Sequence, residues 1–117
     1  MDNRTYFSWS YPDEKFSVAV DSLAASFAPN WERMTNALLH ITHLLPAHFP
    51  DQDLYVRTKK LLAFATERGP MMLGEKIYLG SIEHTLRHRK RTSFEKMARE
   101  LLDIYEQIQM RRGEYRE

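Results

Sequence analysis

Apolar positions along this 117-residue chain recur mainly with helical spacing. Trp31, Met34, Leu38, Ile41 and Leu45 fall at i, i+3, i+7, i+10 and i+14, one stripe of a helix. Asn30 stands where an N-cap is needed, and Pro46 bars continuation because it lacks an amide hydrogen. Leu54, Thr58, Leu61, Leu62 and Ala65 line one side of the next helix. Asp51 is its expected cap, Gly69 its left-handed stop and Pro70 the bar beyond. Residues from about Met71 to about Lys90 read as a fourth helix with two apolar flanks. One flank holds Met71, Tyr78, Ile82 and Leu86; the other holds Leu73, Ile77, Gly80, His84 and His88. The last helix opens at Thr92-Ser93-Phe94-Glu95, which has capping-box spacing. It carries Phe94, Met97, Ala98, Leu101, Tyr105 and Ile108 and stops before Gly113.

The N-terminal stretch YFSWSYPDEKFSVAV supports two periods. With period 2, Phe7, Trp9 and Tyr11 share a face, a Pro-Asp-Glu turn follows, and Phe16, Val18 and Val20 share the next. With period 3.6, Pro12 starts a helix and Phe16, Ala19 and Val20 open a stripe that continues through Leu23 to Phe27. The longer in-phase run favours a helix from about Pro12 to Ala28. The expected fold is therefore all-α, a single-domain bundle of about five helices over residues 1–117. Residues 1–11 form an aromatic N-terminal arm and 113–117 a frayed tail. The alternative is α+β, with an N-terminal β-hairpin at 5–20 on a helical body.

Composition adds exclusions. Hydrophobic residues make up 43% and charged residues 28%, the balance of a folded domain rather than a disordered chain. Seventeen basic against sixteen acidic side chains leave a net charge of +1, so no general attraction to polyanions is expected. The absence of cysteine removes disulfides, thiol catalysis and thiolate metal ligands. The opening MDNRTYFSWS lacks a signal-peptide core, and no apolar run approaches the ~20 residues a membrane span needs. A cytoplasmic protein with no membrane partner is expected.

Candidate chemistry is sparse. The glycines are scattered rather than gathered in a phosphate loop, and no nucleophile elbow occurs. The pairs Asp51/Asp53, Glu100/Asp103 and Asp103/Glu106 fall on helix starts or solvated faces, unlike the dissimilar, partly buried settings that acid–base catalysis needs. No catalytic residue and no cofactor is expected. His84 and His88 at i, i+4, with His40 and His43 at i, i+3, have spacings at which imidazoles share a metal. Arg87, Arg89, Lys90 and Arg91 form a basic run suited either to a helix C-terminus or to phosphate contact.

The leading expectation is a small non-enzymatic interaction, regulatory or accessory protein that presents a helical surface to a protein partner or to itself as a homodimer. Its interface would be Leu73, Ile77, Gly80, His84 and His88, supported by Trp9 and Tyr11. The first alternative is nucleic-acid binding through Arg87, Arg89, Lys90 and Arg91. The second is a metal site drawn from His84, His88, His40 and His43.

Overall fold

The structure is a computed structural model. It describes the backbone of residues 3–24 and 29–116, and side chains within 11–24, 29–77 and 79–111. The described residues form five α-helices, one 3₁₀ turn and one two-stranded sheet. The expectation of a mainly helical bundle holds.

The first helix, α1 (Asn3–Ala24), runs through both halves of the ambiguous stretch, so the N-terminal hairpin at 5–20 does not form. Pro12, expected as its first residue, lies inside it and is buried. A proline within a helix removes one backbone hydrogen bond and costs about 3 kcal/mol. Burial of the helix offsets that cost. Phe16 and Ala19 are wholly buried, with Val20 and Leu23 packed beside them, as the helical stripe requires. The segment expected as a separate aromatic arm is thus helical from Asn3 onward.

The second helix, α2 (Asn30–Leu39), is shorter than its stripe predicted. Pro29 takes the cap position, Asn30 lies within the first turn, and the chain unwinds through turns at 40–43 into a 3₁₀ turn at Pro46–His48. Met34, Leu38 and Ile41 are buried as expected, but beyond the break the buried residue is Leu44, and Leu45 is exposed. Once the helix ends, its phase no longer dictates which leucine points inward.

The third helix, α3 (Gln52–Ala65), matches its sequence signals closely. Asp51 Oδ1 accepts from the Leu54 amide at 3.1 Å, the expected cap. Leu54, Thr58, Leu61 and Ala65 are buried, and the Thr58 hydroxyl donates to the Leu54 carbonyl at 2.9 Å. Gly69 has φ +69°, the left-handed conformation that a helix stop uses.

The next segment departs from expectation. Instead of one helix over 71–90, the chain forms β1 (Met71–Leu73), β2 (Lys76–Leu79) and a short helix α4 (Ser81–Leu86). The strands pair antiparallel, with Met72 opposite Ile77 and Leu73 opposite Lys76. Gly74 and Glu75 make the two-residue loop, where Gly74 has φ +65° and Glu75 does not have positive φ. That pattern is the φ signature of a type II′ turn, which takes glycine at its first central position. Gly80 is not a mid-helix residue either: at φ −64° and ψ 163° it is extended and stands at the N-cap of α4. A helix through both glycines would lose about 1 kcal/mol at each relative to alanine. The turn instead uses the backbone freedom of Gly74.

The last helix, α5 (Arg91–Arg116), begins just ahead of Thr92, which lies in its first turn rather than at its cap, and it continues through Gly113. Met97, Leu101, Ile104 and Ile108 are buried; Ile104 was absent from the predicted stripe. α5 packs against α1, α2 and α3 and forms the spine of the bundle, while α4 packs against α2 and α3. Arg57 on α3 joins α5 by donating to Glu100 from Nε at 3.3 Å and from Nη at 2.5 Å, and to Asp103 at 2.6 Å. These hydrogen bonds, Glu100 first, raise the Arg57 pKa above its ordinary value and keep it charged.

Candidate functional site

The hairpin is the part of the described structure that the bundle does not absorb. Its two strands pack chiefly on each other. Met71, Met72, Leu73 and Ile77 are 41%, 48%, 70% and 65% exposed. Leu73 pairs with Lys76 and Met72 with Ile77, so these adjacent pairs face opposite sides of the ribbon. Apolar side chains therefore stand open on both faces. Among the described residues each strand also has its neighbour on one side only, which leaves a hydrogen-bonding edge open on each.

The base of the hairpin is fixed by α4. The Thr85 hydroxyl, 1% exposed, accepts from the Arg68 amide at 3.0 Å. His84 Nδ1 donates to the Gly69 carbonyl at 3.0 Å. Ile82 and Leu86 anchor α4 in the core. The strands thus leave a rigid platform, and the sequence reading missed Thr85 because a threonine among apolar neighbours carries no signal of its long-range partner.

The predicted interface set does not form one helical face. Leu73 and Ile77 lie on different strands and opposite sides, Gly80 precedes α4, and His84 and His88 lie on α4 and the turn after it. The docking face read from a continuous helix has no physical basis, because the rod is broken at both glycines. Tyr11 is half-buried against the core, its ring 4.7 Å from that of His48 and beneath the Lys15 ammonium at 5.5 Å. The Trp9 side chain lies outside the described residues.

The basic run is largely engaged within the chain. Arg87 pairs with Glu83 at 3.2 Å and lies over the Trp31 ring at 4.3 Å. Arg89 bonds the Phe64 carbonyl at 2.9 Å, pairs with Glu67 and stacks on the Phe64 ring at 3.8 Å. Arg91 reaches Glu95 at 3.6 Å, and Lys90 is exposed. Arg87 and Arg89 thus act as clamps that hold α4 and the following turn to α2 and α3.

The four histidines named for a metal do not converge. His40 and His43 are exposed at the end of α2, while His84 and His88 lie close together at the hairpin base with ring centroids 5.4 Å apart. Among the described residues, no group of three or more His, Cys, Asp or Glu is placed to hold a metal ion. Asp51 and the Glu100/Asp103 pair have structural partners: Asp51 caps α3 and reaches Arg111 at 3.0 Å, and the other two grip Arg57. Among the described residues no helix is long and apolar enough to cross a membrane.

No known protein family matches this chain, and no curated protein or solved structure matches it either.

Proposed function

We propose that this chain is a non-enzymatic protein-interaction protein of the regulatory or accessory kind, and that it self-associates through the β1–β2 hairpin. The carrying observation is a two-stranded ribbon with large apolar side chains exposed on both faces and, among the described residues, no strand paired to either edge. An isolated two-stranded hairpin is marginal in water, and a third or fourth strand or a packed helix is needed to stabilise it. Strand addition supplies backbone hydrogen bonds at the edge, while the exposed side chains supply apolar burial and register. A second copy of the chain offers the same edge and the same apolar faces, so antiparallel pairing about a two-fold axis satisfies both partners at once.

Sedimentation over a wide concentration range tests this reading. Wild type is expected to associate reversibly, and the Leu73→Asp/Ile77→Asp double variant to remain monomeric with unchanged helical circular dichroism. Both side chains lie outside the core, so their replacement leaves the bundle intact. A wild type that stays monomeric throughout, or a double variant that associates equally well, refutes the proposal.

A further inference from the structure

His84 and His88 are held in a way that their spacing alone does not reveal. His84 Nδ1 lies 3.0 Å from the Gly69 carbonyl, and His88 Nδ1 lies 2.9 Å from the His84 carbonyl. A carbonyl oxygen only accepts, so each Nδ1 must carry the proton. In a neutral imidazole the other nitrogen then keeps a lone pair. Each Nε2 therefore keeps a lone pair with which a neutral ring can ligate, while backbone carbonyls fix the tautomer and brace the rings. This is the arrangement that metal-ligating histidines use, with the second nitrogen donating to a carbonyl or carboxylate. His48 shows the opposite case: its Nδ1 accepts from the Leu45 amide at 2.9 Å, which puts the proton on Nε2.

The two rings are also close enough for one ion to reach both, since Zn–N bonds are about 2.0–2.1 Å long. The observed centroid separation is 5.4 Å, with ring planes at 84°. His84 is half-buried and His88 exposed, so a cation can reach the pair from solvent. Of the neighbouring cations, Arg87 engages Glu83 and Trp31 and Arg89 engages Glu67 and Phe64, while Lys90 is exposed.

We propose that His84 and His88 form a two-imidazole site for a borderline divalent cation, Zn²⁺ or Cu²⁺, bound through both Nε2 atoms with water completing the coordination. Imidazole suits these ions better than Mg²⁺ or Ca²⁺, which prefer oxygen. The site stands at the base of the hairpin but does not depend on what the hairpin binds.

The test is calorimetric titration of the untagged protein with Zn²⁺, joined to histidine-ring NMR. One Zn²⁺ per chain is expected, with the ring signals of His84 and His88 moving together. His88→Ala removes an exposed ring with only a local contact, so the fold is retained and checked by circular dichroism. It is expected to weaken binding about tenfold or more. The His40→Ala/His43→Ala double variant is expected to bind as wild type does. Absence of binding up to about 1 mM Zn²⁺, a bound state weaker than roughly 4 kcal/mol, overturns the site. So does binding that survives His88→Ala unchanged, or a titration in which the rings of His40 and His43 move first.

Discussion

At the residue scale, the side chains that organise this protein are those joining elements distant in sequence. Thr85 is the clearest. Its hydroxyl meets the Arg68 amide from a different element while the residue is almost wholly buried. Thr85→Val keeps the shape and removes the acceptor, leaving the Arg68 amide without that partner. The expected loss is about 1–3 kcal/mol in urea denaturation, with Thr85→Ser recovering part of it. Equal stability of Thr85→Val and wild type would show that the pairing is not what holds the turn. Arg57 illustrates the same principle across α3 and α5, where carboxylates that looked like a solvated pair in the sequence converge on one guanidinium. Their role was invisible because the partner lies more than forty positions away, and helical spacing reports neighbours only within one helix.

At the element scale, Gly74 and Gly80 decide the region between α3 and α5. Neither has a heavy atom within 4 Å of where a Cβ would sit, so any effect of an added methyl arises in the backbone. Gly74→Ala forces an L-residue to φ +65°, at a cost of about 1–2 kcal/mol to the turn. Gly80→Ala meets an ordinary φ of −64° and costs only what alanine loses to glycine at an N-cap, about 1 kcal/mol or less, without straining the turn. Strand-specific amide chemical shifts for residues 71–79 are the measurement, with loss in the first variant and retention in the second. Were a helix present instead, both substitutions would stabilise it by a similar amount. The misreading of this segment has a simple origin. Its apolar residues fit two helical flanks on a count, yet Met71–Leu73 and Lys76–Leu79 surround a two-residue loop that opens with glycine. Short apolar runs do not separate strand from helix by period alone.

At the scale of the whole molecule, the bundle and the hairpin have unequal stability. Among the described residues α5 contributes four buried side chains to a core shared by all five helices, whereas the hairpin leaves four large apolar side chains exposed. Local opening should therefore release the hairpin well below the free energy of global unfolding. Hydrogen exchange is expected to be much faster in amides of 71–79 than in those of 97–108 at low protein concentration. Protection of the hairpin should rise with concentration if its edges pair with a second copy. Concentration-independent exchange would count against that pairing.

Local signals were enough to place much of the body. The stripes of α3 and α5, the Asp51 cap and the Gly69 stop were readable because each depends on residues within a few positions and on which side of one helix is apolar. So was the all-α class, since helical periods dominate the chain. Other features lay beyond the sequence, among them the start of α1 ahead of Pro12, the early end of α2, the exchange of Leu45 for Leu44 in the core, and the folding of 71–79 into a ribbon. Each turns on how distant elements share space, and burial is settled by the assembled packing. The same holds for the two histidines at the ribbon's base. Their spacing was plain from the chain, but only the carbonyls of Gly69 and His84, brought there by the fold, set which ring nitrogen carries the proton.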